Sequence, residues 1–397
     1  MVAVVADDGR YASLLEAAAV PTRVSSLTHS FYRYPARFGE RFVREAVASF
    51  SKGGDVIADP FCGGGTTVVE AICAGRRVVA CDVNALSLLL SRVKTNPLHP
   101  RQLGALQSWV MSQSDSVASL LASNVAANDA LLIGVPAQFR NLLANLRDAL
   151  SALPVGETRD FARVLLLKTA QWALDGKEAV PRPSEFVSRL AKSLTDMSVA
   201  LLEFSDALAE LGLHKSEVHA RRRLIRCSAE SLHLQSFFPS KSTADLVITS
   251  PPYLGVHVLY NKWQVQGRVE TRAPYFLAGV PDLGSPSSYT LVPRRAVGAS
   301  EERYFAAIQS SFTSVTKRLS DRGLVIQLVS FADAANALPR YLHALSRASL
   351  ELCDVYVSTV GGLSWRRVPG RRWYTRVGAV ADSCAANEVL LVHRKRR

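Results

Sequence analysis

Residues 55–98 hold the feature that most restricts how this chain can fold. A short apolar run, DVIADPF, leads into a glycine turn, CGGG, and then into the helical pattern TTVVEAICAG, which ends at Gly75. RRVVACDV repeats the apolar run, and ALSLLLSRVKT repeats the helical pattern until it stops near Pro97. β-Branched runs that alternate with helices predict parallel strands buried on both faces and joined by crossover helices. Strand character returns in RRRLIRCS (221–228), ADLVITS (244–250) and GLVIQLVSF, with helical patterns in RYFAAIQSSFTSVTKRL and LPRYLHALSRASL. LCDVYVSTV and NEVLLVHR read as two closing antiparallel strands, with a basic turn, Trp365 to Arg376, between them.

The texture differs between positions 100 and 220. Leu and Ala recur at helical spacing in QLGALQSWV, FRNLLANLRDALSAL, TRDFARVLLLKTAQWAL and DMSVALLEFSDALAELGL, and strand-like runs are nearly absent. So long a connection predicts an all-helical insertion. The expected organisation is an α/β protein with a mostly parallel sheet in two sequence halves, 21–98 and 221–397, interrupted by helices over 99–220. A Gly/Pro/Ser-rich stretch over 270–300 reads as a loop.

Composition narrows the function classes. The chain of 397 residues is 48% hydrophobic and 20% charged, as in ordinary globular proteins, and contains no apolar run of membrane-spanning length. No basic segment followed by an apolar core opens the sequence, so no signal peptide is expected. Six scattered cysteines without a Cys-x-x-Cys pair argue against a disulfide framework and a cysteine metal site, and fit a reducing cytoplasm. A formal charge of +13 points to a polyanion, with nucleic acid the usual one. Nine of the basic residues lie in 361–397 against Asp382 and Glu388. Within that region WRRVPGRRWYTR interleaves Arg366, Arg367, Arg371, Arg372 and Arg376 with aromatics, suiting phosphate contact and base stacking. The competing reading of this cluster is an exposed, solubilising hairpin.

Two motifs carry chemistry. In DPFCGGGTT (Asp59 to Thr67) glycines between a strand and a helix let a ligand approach the backbone near free N–H groups. Asp59 stands at the end of the first strand, where ligands of such sheets bind, and Asp82 closes the next strand, where a carboxylate suits ribose hydroxyls. Absence of Gly-Lys-Ser/Thr argues against a triphosphate loop, and the spacing departs from the Gly-x-Gly-x-x-Gly of dinucleotide sites. The second motif, DLVITSPPYLG, ends a strand in Ser250, Pro251, Pro252 and Tyr253. Two prolines fix a backbone that cannot continue a sheet, between a hydroxyl and an aromatic ring.

Asp59, Pro60, Phe61, Gly63, Gly65 and Thr66, taken with Ser250 to Tyr253, resemble the motifs of S-adenosylmethionine-dependent DNA amino-methyltransferases. The resemblance implies a Rossmann-like class I methyltransferase fold and S-adenosylmethionine as cofactor. It implies that the Asp59–Thr66 loop, with Cys62 as a small filler, wraps the methionine end and that Asp82 holds the ribose. HSFYRYPARFGERFV resembles a segment lining the cofactor pocket, which nominates Tyr34, Pro35 and Arg37; Glu230 is nominated near the adenine. A motif carbonyl would accept a hydrogen bond from an exocyclic amine of a flipped base, Ser250 would offer a second polar contact, and Tyr253 would stack on the ring. Ser-Pro-Pro-Tyr is mostly met in cytosine-N4 enzymes. Adenine N6, an RNA amine and a non-catalytic DNA-binding protein are the alternatives, in that order. Double-stranded DNA is the expected partner, and the resemblance admits a cognate restriction endonuclease. Cytosine C5 is disfavoured because that chemistry uses a cysteine nucleophile, typically after proline, and no Pro-Cys pair occurs.

Overall fold

The computed structural model describes residues 3–4, 9–20, 26–34, 38–115, 117–254, 262–267, 269–283, 299–354, 363–367 and 387–396. Its strands are β1 (Ala3–Val4), β2 (Val56–Asp59), β3 (Arg77–Asp82), β4 (Arg222–Arg226), β5 (Ala244–Thr249), β6 (Trp263–Val265), β7 (Val269–Thr271), β8 (Leu319–Val329), β9 (Leu350–Asp354), β10 (Ser364–Arg367) and β11 (Asn387–Lys395). All but β6 and β7 join one sheet, ordered β4-β3-β2-β5-β8-β11-β9-β1, with β10 added to β11. β4, β3, β2, β5 and β8 pair in parallel, whereas β11 runs antiparallel to both β8 and β9. Counted in chain order, the parallel strands follow the Rossmann-like arrangement, and the order reverses between β2 and β5. The expected α/β class is therefore the observed one.

The buried strands read as near-continuous apolar runs because both faces are covered. Alternate side chains feed two cores. Ile57, Val78, Ala80, Leu246 and Ile248 enter one, while Val56, Ala58, Val79, Cys81 and Val247 enter the other. The named elements of the inserted stretch are all helices, long ones at Pro100–Ser114, Ala137–Ala149, Glu157–Leu174 and Pro183–Glu210. Pro at the first helical turn starts two of them, one with a reciprocal side-chain cap between His99 and Gln102, the other with Glu185 accepting from the backbone N–H and guanidinium of Arg182. Their buried faces merge with the first core. Helix Glu157–Leu174 grips the segment ahead of the glycine loop: Gln171 bonds both the N–H and the carbonyl of Arg33, and Phe161 meets Phe31 edge-on.

Two local expectations change. Trp365, Arg366 and Arg367, expected in a turn, form β10 against β11, because the extended chain gains a ladder there. The hairpin β6–β7 was hidden by the turn-rich composition beside it; Gly176 N–H donates to the Gln264 carbonyl (2.7 Å) and fastens it to the helical insertion.

Candidate active site

The reversal between β2 and β5 places the two motifs side by side. Asp59 is the last residue of β2 and Thr249 the last of β5, and the Thr249 hydroxyl donates to Asp59 Oδ1 at 2.9 Å across 190 residues of sequence. The crevice beyond such a reversal is where open α/β sheets bind ligands.

The glycine loop is held from several sides. Phe61 N–H donates to Asp59 Oδ1 (3.2 Å), and Cys62 N–H to the Cys81 carbonyl on β3 (3.0 Å). Gly63 N–H donates to Asp82 Oδ2 (2.9 Å), while Asp82 Oδ1 accepts from Asn84 N–H (2.9 Å). Gly63 and Gly65 have φ of +45° and +76°, and a Cβ on Gly65 would lie 2.4 Å from Ser91 Oγ. Only glycine fits there without strain. Gly65 caps helix Thr66–Cys73, whose first-turn N–H groups therefore open toward the loop. Tyr34 lies against Gly63 and bonds Ser87 through its hydroxyl (3.0 Å).

Asp59 Oδ2 is buried and has no hydrogen-bond partner among the described residues. Burial pushes the Asp59 carboxyl up to about 6 despite the hydrogen bonds from Thr249 and Phe61. Burial likewise pushes Asp82 up to about 6 against the backbone N–H groups of Asn84 and Gly63. Two buried carboxylates at strand ends, one with an unspent oxygen, form a site for a cationic or hydroxyl-bearing ligand. Burial also pushes the Cys62 thiol well up, so it is no thiolate nucleophile.

The second motif is fixed by residues far along the chain. The Pro252 carbonyl accepts from the Tyr304 hydroxyl (2.8 Å), and Ala332 N–H donates to the Leu254 carbonyl (3.1 Å) beyond the end of β8. Ser250 Oγ lies 2.8 Å from the Tyr253 hydroxyl, which lies 2.8 Å from Glu388 Oε1. The Tyr253 ring is 8% exposed and packs in the second core, so it is not the open platform read from sequence.

The other expected residues divide. Glu230 is exposed on the turn after β4, whose last residue, Arg226, is in register with Asp82. Arg366, grouped by sequence with DNA-contacting arginines, is committed inward. Its Nε donates to Glu388 Oε2 (2.7 Å) and its Nη1 to the Ala18 carbonyl (3.0 Å), leaving 9% of the side chain exposed. Arg367 contributes backbone to β10, and Pro35, Arg37, Arg371, Arg372 and Arg376 lie outside the described residues.

Sequence reasoning missed Lys94, whose buried ammonium donates to the Gly64 carbonyl (2.7 Å). It also missed Asn84, which caps the next helix and donates to the Tyr275 hydroxyl (3.1 Å). Asn84, two residues after Asp82 at a helix start, carried a readable capping signal; a lysine in a helical run carried none.

Residues 16–88 match a family model described as DNA methylase. That stretch contains Tyr34, the glycine loop and Asp82. A relative from Kocuria varians, "Type II methyltransferase M.MvaI", is 32% identical over 100 residues, 24% of this chain and 21% of that protein. The match thus spans about a fifth of the relative's length. Among solved structures, TrmN from Thermus thermophilus aligns over 90% of this chain and 48% of its own, at 12% identity and a TM-score of 0.30. The rRNA methyltransferase aviRa from Streptomyces viridochromogenes aligns over 92% and 89%, at 13% identity and a TM-score of 0.32. These two likenesses are too loose to argue from.

S-adenosylmethionine, the cofactor that goes with the methylase match, fits the residues present. The Asp59 oxygen left without a partner among the described residues suits a cationic group, Gly63 and Gly65 hold the loop tightly against Tyr34 and Ser91, and Asp82 is an acceptor at the neighbouring strand end.

Proposed function

We propose that this chain is an S-adenosylmethionine-dependent DNA methyltransferase acting on the exocyclic N4 of a flipped cytosine. The reading rests above all on the Thr249–Asp59 hydrogen bond, which joins the glycine loop and the Ser-Pro-Pro-Tyr turn at the sheet's reversal. It draws further support from the methylase match over residues 16–88 and from the net charge of +13.

The bound cofactor supplies a methyl group activated on a sulfonium. The chain's own residues then have three tasks. Asp59, Tyr34 and the Cys62–Gly65 backbone hold the methionine end, and Asp82 is assigned the ribose. Ser250 Oγ accepts a hydrogen bond from the amine of the target base. The Pro252 carbonyl already accepts from Tyr304, and the second acceptor is assigned to the Ser250 or the Pro251 carbonyl. Acceptors on the amine protons localise its lone pair as the nitrogen becomes tetrahedral, an effect that grows toward the transition state. No strong base is needed, since the methylated nitrogen sheds its proton readily.

Arg371, Arg372 and Arg376 are assigned to the phosphate backbone, and the helical insertion is a candidate for sequence recognition. Cytosine is preferred to adenine on the Ser-Pro-Pro-Tyr resemblance. Base-resolved methylation sequencing of DNA from cells expressing the chain, beside a Ser250→Ala control, tests all of this. N4-methylcytosine in one short motif, absent from the control, is the expected result. N6-methyladenine would keep the mechanism and change the base; unmodified DNA would overturn the DNA substrate.

A further inference from the structure

We propose that Glu388 and Arg366 are a positioning pair that sets the direction of the hydrogen bonds at the Ser250–Tyr253 turn. The proposal rests on the methyl-transfer reading above for its purpose, though not for its geometry.

Arg366 and Glu388 face each other directly across the β10–β11 ladder. Arg366 donates through Nε and Nη2 to a single oxygen of Glu388, Oε2, and anchors itself through Nη1 on the Ala18 carbonyl. Oε1 is thereby turned to the Tyr253 hydroxyl, 2.8 Å away, and Glu388 is 1% exposed. A carboxylate accepts only, so Tyr253 gives its one proton to Glu388. The phenolic oxygen then offers lone pairs alone, and Ser250, 2.8 Å off, gives its proton to Tyr253. With that proton spent, any further partner of Ser250 Oγ must be a donor. An exocyclic amine is a donor. A buried carboxylate 135 residues beyond Tyr253 thus decides that Ser250 receives the amine rather than opposing it.

Glu388→Gln tests the direction with little change of shape. Arg366 keeps the side-chain oxygen, so the amide nitrogen faces Tyr253. Tyr253 then accepts from Gln and donates to Ser250, whose proton turns toward the amine. The first readout needs neither cofactor nor DNA: the ring 13Cζ resonance of Tyr253 in 13C-tyrosine-labelled protein, assigned by its loss in Tyr253→Phe. Glu388→Gln is expected to shift it, with the dissociation constant for S-adenosylmethionine within about twofold of wild type. The second readout is the single-turnover methyl-transfer rate on DNA. It is expected to fall about ten- to a hundredfold, as for a lost transition-state hydrogen bond, with DNA affinity kept. If Glu388→Gln does not fold because Arg366 loses its counter-charge, the paired replacement Arg366→Met with Glu388→Leu removes both charges. It withdraws the carboxylate that takes the Tyr253 proton, so the resonance should again leave its wild-type position and the rate again fall.

An unmoved Tyr253 resonance, or a wild-type transfer rate in either variant, overturns the proposal. If the wild-type protein methylates no DNA, the functional reading fails, and the resonance alone then decides whether Glu388 orients the relay.

Discussion

The glycine loop and the Ser-Pro-Pro-Tyr turn sit side by side at the ends of β2 and β5, yet they are built in opposite ways. The loop is held mainly by its sequence neighbours: Tyr34 and Ser91 pack on it, Asp82 bonds Gly63, and Lys94 bonds Gly64. The turn is held by distant residues: Tyr304 on the Pro252 carbonyl, Ala332 on Leu254, and Glu388 on Tyr253. A βαβ unit can assemble a cofactor cradle almost alone, because each strand end is followed directly by the helix that completes it. A turn that receives a target base, the role proposed for this one, needs acceptors aimed at one small group, and those come from whatever the rest of the sheet delivers. The methylase match, confined to residues 16–88, covers the self-contained half.

Variants should separate the two halves, beginning with the largest effect. Asp59→Asn removes the buried carboxylate from the cofactor half. Affinity for S-adenosylmethionine in calorimetry is expected to fall by about 2–5 kcal/mol, the usual cost of truncating a buried charged partner. The ligand-free protein should become more stable to urea near pH 8, by about 3 kcal/mol at most, since a carboxyl raised to about 6 is penalised when ionised. Ser250→Ala belongs to the other half, and there the single-turnover methyl-transfer rate should drop roughly a hundredfold with cofactor affinity unchanged. A loss of cofactor binding in Ser250→Ala would erase the distinction.

The effect of pH follows from the same carboxyls. Asp59 and Asp82 have folded values of about 6, raised from 3.8. Between those values the native state binds protons that the unfolded chain has released. Their contribution is therefore most favourable at acid pH and diminishes as pH rises through 6. A cationic ligand has the opposite preference, since it wants Asp59 ionised. Its affinity should weaken as pH falls below 6, by up to about tenfold per pH unit for each titrating carboxyl. Calorimetry from pH 5 to 8 measures this, and a flat profile would detach Asp59 from the ligand's charge.

Two smaller changes sharpen the contrast. Gly65→Ala forces a side chain into φ +76° and against Ser91, and should cost about 1–3 kcal/mol in urea denaturation. Tyr304→Phe removes one buried hydrogen bond to Pro252, worth about 0.5–1.5 kcal/mol, and should slow transfer less than about tenfold while leaving cofactor affinity alone.

How much of this was legible depends on the range of the interactions. The parallel strands, the crossover helices and the helical insertion all follow from periodicity, which is a local property. The glycines at 63 and 65 announce a turn because no other residue adopts their backbone cheaply. Arg366 misled: in sequence it belongs to a basic cluster, but an arginine's charge does not say whether it faces solvent or a buried carboxylate. Lys94 and Glu388 gave no signal, since each acts on a residue that folding alone brings near.

The sequence by itself determined the alternation of strands and helices, the stiff proline turn and the glycine cradle, because these are dictated by backbone sterics and side-chain period. Tertiary structure alone decided that β2 and β5 are neighbours, so that Thr249 reaches Asp59, and that Glu388 meets Tyr253 while consuming Arg366. Hydrogen bonds and ion pairs act over about 3 Å in space, and no pattern of residue types records which distant strands the sheet will bring to that distance.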